Sequence, residues 1–485
     1  MKKFNYIYLV TAVSVLMFAS LACLLVTGSP PSDELEIVEA TAPSVENVPE
    51  IEEVEESTEA PADESEESQM EPASEPIAER PGVQTFPVPD GELGVSRITA
   101  YQDEWESWII VGLVLNNSDR AVDSLEIEVE VFDSAGDSIF SEVAYPSLYT
   151  LAPGESSPFI LWVWDEIEDP TEFMGSVVGF SSTEAERAEV DIEGDMMTFG
   201  EGYVNITGEI VNNNDFPVSI GDLAAATFDS NGNLMTADAD DVVISYLEAG
   251  DSAPFRISMD APGTGQEDIV DYYIYTNVET TMNEDIFAIS FLEESTYFDD
   301  DGEFHLVGEV ENNSEVYLNL SLVAGLYDAS NNVLDASHDD MPLTSLAPGE
   351  STYYDFYSWA PINYTEGLAD QADSYVVQVD YGWTWETDTR YTDLTVIDDG
   401  FEESFWGVSF KGQVANNSGD VLESGKVLVI LRSKETGELL AMGYTSLYDD
   451  IPAGGTADYE VVVEVEENFD IESFDYSIKA VGELP

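Results

Sequence analysis

Apolar residues run together in Trp108-Ile109-Ile110-Val111 and surround one histidine in Phe304-His305-Leu306-Val307. Such short runs between turn residues predict β-strands. Elsewhere the pattern has period two. In Leu125-Glu126-Ile127-Glu128-Val129-Glu130-Val131-Phe132 apolar and acidic residues alternate, which predicts a half-buried strand with one wet face. Alternating aromatics in 272–278, 375–385 and 474–481 predict further strands, and helical periodicity is nearly absent. Turn signals recur at intervals of about 8–12 residues, the spacing expected of an antiparallel β-sandwich.

The strand pattern is itself repeated. Gly-x-(Val/Ile)-x-Asn-Asn occurs four times, beginning at Gly112, Gly208, Gly308 and Gly412, at spacings of 96, 100 and 104 residues. A second landmark follows as Phe132-Asp133-Ser134-Ala135-Gly136, Phe228-Asp229-Ser230-Asn231-Gly232 and Tyr327-Asp328-Ala329-Ser330-Asn331; the fourth copy departs to Leu431-Arg432-Ser433-Lys434. A third is Leu151-Ala152-Pro153-Gly154-Glu155, with counterparts at Leu247, Leu346 and Ile451. Each third landmark leads to an aromatic: Phe159, Phe255, Tyr353 and Tyr459. Three landmarks in fixed order, four times over, predict four tandem all-β modules at 93–184, 185–281, 282–389 and 390–485. Each Asn-Asn is expected to end a strand by bonding its own main chain and accepting left-handed backbone. Asp133, Asp229 and Asp328 are expected to shape hairpin turns.

The first 92 residues read differently. Lys2 and Lys3 precede an apolar stretch over 7–26, the pattern of an export signal or membrane anchor over 1–28. Ser20-Leu21-Ala22-Cys23 resembles a bacterial lipoprotein box, in which Cys23 would carry the lipid. A membrane-spanning anchor and plain secretion are the alternatives, and all three place the remainder outside the cytoplasm. Residues 29–92 are rich in Glu, Pro, Ala and Ser, as in Glu52-Glu53-Val54-Glu55-Glu56, and read as a disordered acidic tether. About 60 such residues reach at most roughly 200 Å.

Composition narrows function more than it defines it. The 101 Asp and Glu against 13 Lys and Arg give a net charge of −88. That argues against nucleic acid as a partner, since phosphate contacts need clustered Lys and Arg. Mutual repulsion also favours a monomeric ordered region. One Cys and two His, His305 and His338, make no disulfide framework and no Cys/His zinc cluster.

The order Gly-x-Val-x-Asn-Asn, then Leu326-Tyr327-Asp328, then Leu-x-Pro-Gly-Glu resembles the FxLyD domain. Ala324, Ala225 and Val129 stand where that family has its leading Phe. The resemblance implies an immunoglobulin-like sandwich in a bacterial surface lipoprotein, extracytoplasmic and non-catalytic.

Three groups of residues carry candidate chemistry. Asp299, Asp300, Asp301 and Glu303 cluster carboxylates in one turn and could bind calcium between modules, against the plainer reading of a solvated acidic surface. Trp162 with Trp164, and Trp383 with Trp385, are two residues apart and so share a strand face. Exposed, such pairs could stack on sugar rings; buried, they are core. Neither histidine has a catalytic partner in the sequence, and both read as structural. The expectation is a non-catalytic surface protein, membrane-anchored, acting on an unidentified surface protein or polysaccharide, with no cofactor beyond calcium.

Overall fold

One strand order recurs along the chain, as the repeated landmarks require. The computed structural model describes residues 93–484 except 103–106, 165–166, 184–186, 201, 240–241, 262–267, 282–287, 300–301, 339–340, 358, 365–366, 386–390, 467–468 and 471–472. The readings at Cys23 and over 29–92 therefore lie outside the described residues. Among the described residues, no helix is long and apolar enough to cross a membrane.

The first repeat holds β1 (Leu93–Gln102), β2 (Trp108–Asn116), β3 (Val122–Phe132), β4 (Ser138–Ala144), β5 (Thr150–Leu151), β6 (Ser156–Val163) and β7 (Glu172–Ser182). Strands β1, β2 and β6 make a three-stranded sheet. In the second sheet β3 pairs with β7 on one edge and with β4 and β5 in turn on the other.

The second repeat follows the same plan with β8 (Asp191–Phe199), β9 (Tyr203–Val211), β10 (Val218–Asp229), β11 (Leu234–Ala239), β12 (Tyr246–Leu247), β13 (Ser252–Asp260) and β14 (Ile269–Thr280). So does the third, with β15 (Ile289–Phe298), β16 (Phe304–Asn312), β17 (Tyr317–Asp328), β18 (Val333–His338), β19 (Ser345–Leu346), β20 (Ser351–Phe356) and β21 (Ala372–Trp385). A short helix, α1 (Ala360–Tyr364), interrupts the run between β20 and β21. The fourth repeat varies the plan with β22 (Tyr391–Asp393), β23 (Thr395–Ser404), β24 (Gly407–Ala415), β25 (Ser424–Ser433), β26 (Leu439–Leu447), β27 (Thr456–Val463) and β28 (Phe474–Glu483). Here β22 extends the second sheet beyond β28, and the short fifth strand shrinks to a bridge between Leu422 and Ile451. Every strand pair is antiparallel.

The landmarks are explained by contacts between them. Gly112, Gly208, Gly308 and Gly412 lie in register with Phe159, Phe255, Tyr354 and Tyr459 on the neighbouring strand. A Cβ on Gly112 would sit 2.3 Å from the Phe159 ring, and one on Gly308 would sit 2.2 Å from the Tyr354 hydroxyl. The glycine is thus the space its aromatic occupies. In the third repeat that aromatic is Tyr354 rather than the expected Tyr353, because Tyr353 pairs with Glu309.

The first Asn of each pair is fully buried and works as a buckle. Asn116 Nδ2 donates to the carbonyls of Arg120 (2.8 Å) and Leu151 (2.9 Å), while its Oδ1 accepts from the Ser118 amide and hydroxyl. Asn212, Asn312 and Asn416 repeat this, reaching Leu247, Leu346 and Ile451. The amide and carbonyl of the same Asn also bond the turn of the third landmark, through Glu155 and Gly154 in the first repeat. None of the four takes a positive φ, contrary to expectation. The residue stays extended because its side chain, rather than a backbone reversal, satisfies the turn. Asp133, Asp229 and Asp328 do shape hairpins, each accepting two main-chain amides on Oδ1.

Apolar cores cross the boundaries between repeats. Ala224, Ala226, Phe228 and Tyr275 of the second repeat join the core of the first, and one cluster runs through the third and fourth. Val242 packs with Val323 and Ala336 across the intervening junction.

Of the nine Lys and Arg among the described residues, six lie at these junctions. Arg97 lies 5.4 Å from the Phe228 ring centroid, and Arg187 bridges Glu155, the Thr150 carbonyl and the Thr276 carbonyl. Arg256 of β13 meets Asp335 of β18 at 3.1 Å, both buried. Between the third and fourth repeats, Arg432 pairs with Glu293 and Tyr353, Lys479 with Glu350 at 3.0 Å, and Lys426 donates to the Pro342 carbonyl.

Candidate functional site

At one end of the third repeat the β15–β16 hairpin carries the residues that best combine burial with chemistry. Its turn is built by Asp299, whose carbonyl accepts from Gly302 (3.1 Å) and whose Oδ1 accepts from the Glu303 amide (2.7 Å). Gly302 takes φ 82°, a left-handed conformation that glycine adopts without a Cβ clash. This leaves Asp299 Oδ2 facing inward, towards β16.

Tyr297 on β15 and His305 on β16 are register partners, so their rings stack at 4.7 Å with planes 1° apart. Tyr357 lies 6.1 Å from the same imidazole at 24°. His305 is only 2% exposed. Its Nδ1 lies 3.1 Å from both carboxylate oxygens of Asp355 on the neighbouring β20. Its Nε2 makes no hydrogen bond. The facing atoms are Asp299 Oδ2 and Glu464 Oε2, each 3.6 Å away. Glu464 belongs to the fourth repeat, immediately after β27, and its carbonyl accepts the Tyr297 hydroxyl at 3.2 Å.

The electrostatics are lopsided. Burial pushes the His305 imidazole down, but the Asp355 hydrogen bond and the charges of Asp355, Asp299 and Glu464 more than reverse this and hold it above its ordinary value. Burial raises the Glu464 carboxyl; His305 opposes that rise, and Asp299, Asp355 and Glu303 add to it. Burial pushes the Tyr297 phenol far up, with surrounding carboxylates adding to the effect. One imidazole therefore faces three carboxylates. One ligand atom each from Asp299, His305 and Glu464 all lie within 4.8 Å of one another.

Of the acidic turn proposed from sequence, Asp299 enters this cluster. Glu303 is half-buried and Asp300 and Asp301 fall outside the described residues. The partners that sequence reasoning missed are His305, read as structural, together with Asp355 and Glu464. Only the rarity of histidine pointed here; single acids in so acidic a chain carry no signal.

The tryptophan pair of the first repeat behaves differently from a core pair. Trp162 is half-buried on β6, Trp164 is 80% exposed just beyond it, and the rings stack at 6.2 Å and 15°. Trp383 and Trp385 close β21 opposite Asn319 and Tyr317, and their side chains lie outside the described residues. A pair not singled out from sequence, Phe405 and Trp406, projects from the β23–β24 turn at 81% and 53% exposure.

A scan against protein-family models finds no match to the chain, and a search of curated proteins likewise returns none.

Proposed function

We propose that the chain is a non-catalytic, membrane-anchored extracytoplasmic protein whose four tandem immunoglobulin-like β-sandwich modules act in adhesion, scaffolding or recognition at the cell surface. The observation that carries this reading is the fourfold use of the landmarks for structure. Gly112, Gly208 and Gly308 each house an aromatic, Gly412 lies in register with one, and each first Asn buckles two turns, so what the repeats share is a scaffold. What differs among them is the outer surface, as expected where modules display distinct contacts on a common frame. The lysines before the apolar stretch, Cys23 and the acidic tether supply the anchoring part of the reading.

The test is to express the full chain in a bacterial host with a C-terminal epitope and treat intact cells with protease. The reading predicts a membrane-associated epitope that protease removes. A protected, cytosolic epitope overturns it. Labelled fatty acid then separates the anchors: label on the wild type that Cys23→Ser abolishes marks a lipid, and an unlabelled membrane-bound wild type marks a spanning segment.

A second reading is favoured by Trp164. A largely exposed indole stacked on a half-buried one has the form of a sugar-stacking platform. Under it, the chain co-sediments with an insoluble polysaccharide and Trp164→Ala abolishes this; equal sedimentation of the variant removes the reading.

A further inference from the structure

We propose that Asp299, His305 and Glu464 bind a divalent transition-metal ion of the Zn²⁺ class in the junction between the third and fourth repeats, with Asp355 orienting the imidazole. This stands apart from the surface role and does not depend on it.

Four observations carry the inference. The first is the tautomer. A carboxylate only accepts, so Asp355 at 3.1 Å requires the proton on Nδ1 and aims Nε2 at the opposite carboxylates. A carboxylate–histidine–metal arrangement uses the same relation to orient its ligand. The second is an unpartnered atom: Nε2 belongs to a side chain 98% buried yet has no hydrogen bond.

The third is distance. Both Nε2-to-oxygen separations are 3.6 Å, too long for a charge-assisted hydrogen bond of about 2.7–2.9 Å. Two ligand atoms each about 2.1 Å from a tetrahedral ion stand roughly 3.4 Å apart, close to what is observed. The fourth is charge. Asp299, Asp355 and Glu464 surround one imidazole, and the further groups that act on its neighbours, Glu303 on Glu464 and Glu466 on Tyr297, are also acids. A dication supplies what the cluster lacks.

The donor set selects the ion. Calcium favours six to eight oxygens, whereas one imidazole with two carboxylates suits zinc, with a solvent molecule completing four ligands. Because Glu464 comes from the fourth repeat and the other ligands from the third, the ion would tie the two together.

The test uses the full chain, stripped with chelator and desalted, then titrated with Zn²⁺ calorimetrically. Excess Mg²⁺ occupies the weak carboxylate sites that so acidic a chain offers. The expected result is one tight Zn²⁺ per chain, with binding weakened at least tenfold in Glu464→Gln. Asp355→Asn should weaken it about 10–100-fold, the usual effect of losing the outer partner of a ligating histidine. Co²⁺ should give the visible absorption of a tetrahedral centre in the wild type and not in Glu464→Gln. His305→Gln is the direct variant, and the other two keep the test sound if its burial prevents folding. Wild type and Glu464→Gln titrating alike, or Ca²⁺ displacing Zn²⁺ at equal concentration, overturns the proposal.

Discussion

Where the second repeat meets the third, Arg256 faces Asp335 at 3.1 Å, with both side chains at most 4% exposed. Where the third meets the fourth, His305 faces Asp355, Asp299 and Glu464. The fourth repeat does bring cations to that junction, but Arg432, Lys479 and Lys426 are engaged with Glu293, Glu350 and the Pro342 carbonyl. In the first, a buried carboxylate meets a buried guanidinium; in the second, three carboxylates surround one imidazole. A buried charge must be compensated or it is expensive. The Arg256–Asp335 pair supplies a buried cation to a buried carboxylate; the His305 cluster points to a bound cation.

The largest test of this contrast is Arg256→Met. It strands a buried carboxylate that also accepts the amides of Ala336 (2.8 Å) and Ile362 (3.0 Å). Breaking such a pair from one side costs about 3–5 kcal/mol while the carboxylate is ionised, to be read as a lower urea midpoint at pH 8, above the value of about 7 to which burial raises this carboxyl. Adding Asp335→Leu to that variant should recover much of the loss. A cost below 1 kcal/mol for the single variant would make the two junctions alike.

The pH dependence comes next. Burial pushes the Asp335 carboxyl up to about 7, although Arg256 and the two amides pull it down. In the unfolded chain it would titrate near 3.9. The folded chain thus holds a proton that the unfolded chain releases. Its stabilising contribution is complete below about pH 4 and is lost as the pH rises through about 7. Urea midpoints taken from pH 4 to 8 should therefore move in favour of Asp335→Asn, relative to wild type, as pH rises. A constant gap contradicts the shift.

Asn212→Ala and Asn312→Ala provide a reference on either side of the Arg256–Asp335 pair. Each removes the same buckle and leaves buried carbonyls unpaired, at about 1–3 kcal/mol. Equal costs would assign any difference among the junction variants to the junctions themselves. The smallest effect belongs to Arg432→Ala. Its side chain is 30% exposed, so the loss should be about 1 kcal/mol or less and fade with added salt. Thermal melts at low and high ionic strength check it.

The fold was largely legible because strand patterns and turn residues are local signals. The spacing of Gly112, Gly208, Gly308 and Gly412 revealed the repeat before any strand was placed. The reason for the landmarks was not legible. Asn116 bonds a carbonyl 35 residues away, and nothing in Asn-Asn itself names Leu151 as its partner. The His305 cluster was harder still. Glu464 lies 159 residues downstream, and one glutamate among 101 acidic residues is invisible until the third and fourth repeats pack. The positions of the cations were hidden for the same reason: Arg256 and Asp335 are 79 residues apart and meet only across a junction.

Hydrogen exchange on the full chain, wild type against Arg256→Met, tests most directly whether scarce cations bind neighbouring repeats together. Strand β13 and the Val242 bridge should exchange faster in the variant, and so should β18 and α1 on the other side of the junction. The strands of the first repeat, β2, β3 and β6, should keep their protection. Faster exchange confined to β13, with β18 and α1 unchanged, would contradict the account.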